Sequence, residues 1–269
     1  MKKLEKLKKE IKKLKKVLVA FSGGVDSTFL LKICIDVLGI ENVFAVTAKS
    51  EIFSKEELKY SKKIAKKLGV NHYIISTNEI NNEKFIANTI DRCYYCKIEL
   101  FSKLWEIAKK LNINYILDGS TIDDLKDYRP GRKALIEKNI LSPLQNAKLS
   151  KKEIRYLSKK MGLPTWNKQS EACLASRFPY GHKITRNELK MVEEAEKFLK
   201  KNGFKIVRVR HHGKLARIEV DEKDIKRFLD DKLRKEIIGK FKKIGYVWIC
   251  LDLIGYRTGS MNEILEKKI

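Results

Sequence analysis

Residues 17–27 read Val-Leu-Val-Ala-Phe-Ser-Gly-Gly-Val-Asp-Ser, an apolar run that stops at Ser22-Gly23-Gly24-Val25-Asp26-Ser27. Five apolar residues suit a buried parallel strand, and two glycines let the backbone close around an anion. The apolar spacing over 25–38 continues as a helix whose N-terminus carries partial positive charge. The stretch is therefore a strand, a phosphate-cradling loop and a helix. It lacks the Gly-Lys-Ser/Thr ending of a Walker A loop and the third glycine of a dinucleotide fingerprint. A tight strand-to-helix turn would need only the glycine pair, so the complete hexapeptide after a strand points to nucleotide binding.

Working outward, strand-like runs at 43–48, 72–75 and 115–117 alternate with helical patterns at 55–68 and 98–111. Strict alternation implies a doubly wound parallel α/β sheet. Ligands of such sheets sit beyond the carboxyl ends of the strands, where Ser22, Lys49 and Gly119 fall. Residues 140–144 read as a further short strand, and 151–161 as a helix closed by Gly162 and Pro164. From 164 to 182 periodicity is lost, as in a long functional loop. A helix at 186–201, paired strands at 205–210 and 215–220, a helix at 223–241 and a strand at 246–253 complete a smaller α+β domain. The expected division is 1–180, including an amphipathic helix at 1–16, and 181–269.

The chain has 269 residues and a net charge of +25. Such an excess suits a polyanionic partner or small phosphorylated substrates, and it also arises from lysine spread over ion-paired helix surfaces. No basic motif interleaved with aromatics and no RNA-binding module appears, so nucleic acid is not the expected partner. No apolar run approaches the roughly 20 residues needed to span a bilayer. With no signal peptide in view, the expectation is a cytoplasmic protein without membrane association.

There are five cysteines. Cys34 and Cys250 lie in apolar patterns and read as core residues. Cys93-Tyr94-Tyr95-Cys96 has a spacing that serves a metal, a cluster or a redox pair. Cys173 sits in the polar segment Ser170-Glu171-Ala172-Cys173-Leu174-Ala175-Ser176-Arg177, where Arg177 would favour a thiolate. Three such cysteines near a nucleotide loop leave two chemistries open: a sulfur nucleophile beside an adenylated carbon, or a three-cysteine iron–sulfur site with one free iron. Zinc would want a fourth protein ligand. His72, His182, His211 and His212 have no paired metal-ligand spacing with the cysteines.

The Ser22–Ser27 hexapeptide resembles the pyrophosphate (PP) loop of the ATP pyrophosphatases. Taken with 118–124, 127–131, 171–177 and 255–262 in order, the whole chain resembles the LarE family. The resemblance implies the fold of the adenine nucleotide alpha hydrolases, with ATP and Mg2+ as cofactors. It further implies adenylation of pyridinium-3,5-biscarboxylic acid mononucleotide, a small-molecule substrate, followed by sulfur insertion, and a homo-oligomer. By the same resemblance, Ser22, Gly23, Gly24 and Ser27 hold pyrophosphate, and Asp26 serves phosphate geometry or magnesium. Thr47, Lys49, Gly119 and Ser120 lie near adenosine, and Arg208 and Arg210, on one face of a strand, hold the substrate phosphate. Without the family match that pair would read as a solvated basic strand face. Ser176, Arg177 and Glu196 are supporting residues, Glu196 reading equally as an ordinary helix surface position.

One branch of the family sacrifices the cysteine matching Cys173. Another holds a [4Fe-4S] cluster on residues matching Cys93, Cys96 and Cys173, and takes sulfide or another donor; the three-cysteine set favours this branch. The competing readings are a tRNA thiolation enzyme, an ammonia-dependent amidating synthetase and a nucleotide-binding sensor without catalysis.

Overall fold

β1 (Val17–Ala20) is the central strand the opening stretch calls for. The computed structural model describes residues 2–125, 130–169 and 171–263, so Asp127, Tyr128, Arg129 and Ser170 of the quoted motifs lie outside the described residues. Residues 1–85 and 90–171 form one compact unit, and residues 86–89 and 172–269 the other.

In the first unit α1 (Lys2–Lys12) precedes β1, followed by α2 (Val25–Leu38), β2 (Val43–Lys49), α3 (Lys55–Leu68) and β3 (Asn71–Ser76). Next come α4 (Glu83–Ile86), α5 (Arg92–Lys110), β4 (Ile116–Leu117), α6 (Gly131–Glu137), α7 (Pro143–Asn146) and α8 (Lys151–Lys160). The strands run in the order β3-β2-β1-β4, all parallel. Each returns through helix, so both sheet faces are covered, and alternate β1 side chains enter different cores. Val17 and Val19 pack with Leu7 and Ile11 of α1 and Phe29 and Leu30 of α2. Leu18 packs with Phe101 and Leu104 of α5 and Leu135 of α6. Cys34 is fully buried in the first of these clusters, as its apolar setting implies.

The expected strand at 140–144 is reduced to one bridge between Leu117 and Leu141, because Pro143 opens α7. The expected helix at 98–111 begins earlier, at Arg92, which places Cys93 and Cys96 within its first five residues.

The second unit contains α9 (Arg186–Lys201), β5 (Val207–His212), β6 (Leu215–Val220), α10 (Asp231–Ile244) and β7 (Trp248–Leu251). β5 and β6 are antiparallel, and β7 joins β6 in parallel as the edge strand. Leu199, Phe204, Val207, Val209, Ile218 and Phe241 form its core. The expected helix at 223–241 is two elements, a 3-10 helix over Glu222–Leu229 and then α10, because the Asp230 side chain accepts from the Leu233 amide and starts a new helix. Cys250, expected in the core, is exposed: alternation along the edge strand turns Ile249 and Leu251 toward the core and Trp248 and Cys250 away.

Candidate active site

In the first unit the Ser22–Ser27 loop crosses the carboxyl end of β1 and opens α2. Its two hydroxyls are paired, Ser22 Oγ to Ser27 Oγ at 3.0 Å, and the Gly24 amide donates to Ser22 Oγ at 3.3 Å. Gly23 has φ +71°, and a Cβ there would meet Ser61 Cα of α3 at 2.9 Å. Gly119, just beyond β4, would place a Cβ 3.1 Å from the Ser27 amide nitrogen. Both glycines thus let backbone approach backbone around the loop.

Asp26, half-buried on the first turn of α2, has its carboxyl pushed up to about 6, chiefly by burial. Asp124 and Asp123 add to the rise, while Lys151 and Arg155 of α8 oppose it. The Asp118 carboxylate is held by the Ser120 hydroxyl, by Ser142 Oγ at 2.6 Å and by Lys97 Nζ at 3.9 Å. Thr47 Oγ1 donates to the Phe21 carbonyl at 2.6 Å and lies 2.8 Å from His72 Nε2, so its hydroxyl braces the strand end that carries the loop. Burial, with Lys62, lowers the His72 pKa and keeps that ring neutral. Lys49 is exposed at the end of β2.

Lys168 carried no signal in the sequence. Its ammonium lies 2.7 Å from Glu57 Oε2, 3.3 Å from the Gly23 carbonyl and 4.3 Å from the Tyr60 ring centroid. The Lys168 carbonyl in turn accepts from Arg155 Nη2 at 2.8 Å. Only chain folding brings residue 168 to residue 23.

Cys93 and Cys96, three residues apart on α5, share a helix face. Cys93 is exposed, and the half-buried Cys96 donates to Glu79 Oε1 at 3.8 Å. Cys173 belongs to the other unit, where it caps a 3-10 turn over Leu174–Arg177. Arg177 Nη1 donates to the Ala172 and Cys173 carbonyls at 2.7 and 3.0 Å and to Ser176 Oγ at 3.0 Å. Its remaining nitrogens engage Glu196, so the guanidinium charge expected to act on the thiol is matched by a carboxylate.

Glu196 is buried rather than on an open helix surface, and it also accepts from the Val209 amide at 3.0 Å. Burial pushes its carboxyl up, but Arg177, Arg208 and the Val209 amide outweigh that and leave it below the usual range. Arg208 and Arg210 share a face of β5, and both are buried rather than solvated. Arg210 bonds Glu219 at 2.7 Å, Ser260 Oγ at 2.9 Å and the Ser176 carbonyl at 3.2 Å. Arg208 stacks over Tyr256 at 5.3 Å. Ser260 and Tyr256 come from the motif at 255–262, which packs on β5 and β6. Ser260 and Met261 line a cleft of about 460 Å3 with Tyr180, His212 and Arg217.

The NAD synthase family profile matches residues 2–92, the part that carries the loop. An uncharacterized protein of Synechocystis sp. is 43% identical over 265 residues, 98% of each chain. The pyridinium-3,5-bisthiocarboxylic acid mononucleotide synthase of Lactiplantibacillus plantarum is 40% identical over 259 residues, 96% of this chain and 92% of that one. The chain belongs to the LarE family. The tRNA-specific 2-thiouridylase of Clostridioides difficile is more distant, 25% identical over 220 residues, 67% of this chain and 61% of its own. In this LarE-family chain the PP loop and the β2 and β4 ends come together in the first unit, and Cys173, Arg177, Glu196 and Arg210 in the second. The residues that sequence reasoning missed, Lys168, Lys151, Arg155 and Glu219, all act across the fold.

Proposed function

We propose that this chain is an ATP-dependent sulfur transferase that adenylates a carboxylate of pyridinium-3,5-biscarboxylic acid mononucleotide and inserts sulfur to give the thiocarboxylate, a step in building a nickel-pincer nucleotide. The observation that carries this reading is the 40% identity to the Lactiplantibacillus plantarum synthase across nearly the full length of both chains. The intact loop at a strand end agrees with it.

In this reading the Ser22 and Ser27 hydroxyls exchange their mutual bond for pyrophosphate oxygens, helped by the Gly23 and Gly24 amides and the positive end of α2. Ionised Asp26 would hold Mg2+, and Lys168, 3.3 Å from the Gly23 carbonyl of the loop, would share the phosphate charge. Thr47, Lys49, Gly119 and Ser120 border the adenosine. The substrate carboxylate attacks the α-phosphorus and the α–β phosphate bridge breaks, releasing pyrophosphate. A sulfur nucleophile then adds to the activated carbonyl carbon, and AMP departs with the electron pair of the broken C–O bond. Arg208 and Arg210 hold the mononucleotide phosphate, and the Arg210 Nε, buried with no partner among the described residues, is a donor still to be satisfied.

The donor types suit a [4Fe-4S] cluster: none of Cys93, Cys96 and Cys173 is in a disulfide, and the first two lie three residues apart on α5. Three thiolates would ligate three irons, and such a cluster supplies a fourth iron open to sulfide. Arg177 and Glu196 fix the backbone that presents Cys173. Cysteines outside disulfides also suit the cytoplasm, where thiols stay reduced, and no described helix is long and apolar enough to cross a membrane. The smaller unit joins copies of the chain, since Trp248 (60% exposed) on β7 and Leu253 (80%) and Ile254 just after it stand uncovered.

Anaerobic purification with iron, sulfide and intact-mass measurement before and after turnover tests the sulfur source. Iron and sulfide near four each with unchanged mass supports the cluster, whereas loss of one hydrogen sulfide without iron assigns a sacrificed Cys173. Release of pyrophosphate only with tRNA, giving thiouridine at a steeply salt-dependent affinity, would replace the mononucleotide reading altogether.

A further inference from the structure

We infer that His182, Glu188 and His211 form a binding site for one divalent transition-metal ion of the zinc type, distinct from the three cysteines. Glu188 Oε1 lies 3.0 Å from His182 Nε2 and 3.2 Å from His211 Nε2. The three donor atoms all fall within 4.8 Å of one another. Zinc bonds to imidazole nitrogen and carboxylate oxygen of about 2.0–2.2 Å place the corners of a tetrahedron roughly 3.3–3.6 Å apart. The two carboxylate–imidazole separations therefore need to open by only a few tenths of an ångström, and the two ring nitrogens, within 4.8 Å of each other, need only settle at the same spacing. Two histidines and one glutamate make a three-ligand set that leaves a fourth position for water.

The surroundings orient these ligands. The other oxygen of Glu188 accepts from the Thr185 hydroxyl at 2.8 Å and the Thr185 amide at 3.2 Å, the capping box of α9. That leaves Oε1 for the imidazoles. His211 Nδ1 lies 3.1 Å from the Tyr246 hydroxyl, which can accept its proton and hold the tautomer that presents Nε2 to a metal. His182 (26% exposed) and Glu188 (21%) open the site to solvent, while His211 (1%) forms its floor.

The ion would join three elements. His182 ends the stretch that starts at Cys173 and is gripped by residues 86–89, through Asn88 Nδ2 to the Pro179 carbonyl and the Ile184 amide to the Ile86 carbonyl. Glu188 lies in the first turn of α9, and His211 follows Arg210 on β5. Metal here pins the Cys173 stretch to the arginine-bearing strand.

The test uses the full chain carrying Cys93→Ser, Cys96→Ser and Cys173→Ser, stripped with chelator and titrated with Zn2+ or Co2+. One equivalent should bind, with cobalt d–d bands and no thiolate-to-cobalt charge-transfer band. His182→Ala should abolish this binding, Tyr246→Phe should weaken it roughly 10–100-fold as a lost outer partner does, and His212→Ala should leave it unchanged. If the triple variant does not fold, His182→Asn in the otherwise unaltered chain should remove only the cobalt signal that lacks thiolate character. Absence of that equivalent, or binding indifferent to His182→Ala, overturns the site, whether or not the chain transfers sulfur.

Discussion

Arg177 meets Glu196 side-on, Nε donating to Oε1 at 2.8 Å and Nη2 to Oε2 at 2.9 Å, with both side chains buried. The same guanidinium grips the Ala172 and Cys173 carbonyls, while Glu196 accepts from the Val209 amide between Arg208 and Arg210. One ion pair thus ties the Cys173 turn to the arginine strand.

Removing one partner of a buried bidentate pair strands a charge and costs about 3–5 kcal/mol. Glu196→Ala is expected to lower the urea midpoint accordingly, and to make the peptide around Cys173 the first site of limited proteolysis. The pair also has a pH signature. The Glu196 carboxyl is depressed in the fold, so its stabilisation is complete above the ordinary glutamate value of about 4.3 and disappears as pH falls through the lower folded value. Acid unfolding of Glu196→Gln, compared with the unaltered chain, should show that component missing.

Gly23→Ala should weaken ATP binding by at least about ten-fold, equivalent to roughly 1.4 kcal/mol. Its left-handed backbone and the 2.9 Å approach to Ser61 Cα both resist a side chain. Gly213→Ala is the control: it has φ +65° but nothing within 4 Å of the added atom, so it should carry only the backbone cost of about 1–2 kcal/mol, with ATP affinity intact by calorimetry.

Asp26 is the group to watch in a pH profile. With its carboxyl near 6, it is neutral in more acidic solution and gains, as pH rises through that value, the charge that its proposed Mg2+ role needs. Pyrophosphate release at limiting Mg2+ should therefore climb between pH 5 and 7 (a unit either side of about 6), with the midpoint moving down as Mg2+ is raised. Asp26→Asn should abolish the step; a profile unchanged in that variant would remove Asp26 from the metal site.

Lys168→Met should raise the KM for ATP while leaving the thermal midpoint nearly unchanged, because a partly exposed ion pair such as Lys168–Glu57 contributes only about 0–1 kcal/mol to stability. A drop in stability with unaltered KM would make Lys168 a brace for α3 instead.

The parallel sheet, the helices over 25–38, 55–68 and 186–201, and the placement of Ser22–Ser27 at a strand end were legible because they rest on local periodicity and a contiguous motif. Cys250 misled because an apolar strand pattern does not say which strand is the edge. The pattern over 223–241 hid a break, since the Asp230 cap is one side chain within a continuous amphipathic run.

What the sequence determined by itself was chemistry carried by neighbours in the chain: a phosphate loop, a cysteine pair three residues apart, an Arg-x-Arg on one strand face. What the tertiary structure decided was every relationship between distant residues, because ion pairing and ligand geometry depend on separations in space that no spacing encodes. Lys168 reaches Gly23, Arg177 is answered by Glu196, Arg210 by Glu219, and His182, Glu188 and His211 converge on one point. Burial did the rest, turning an apparently solvated basic strand and an ordinary glutamate into the paired, low-dielectric network that holds Cys173 in place.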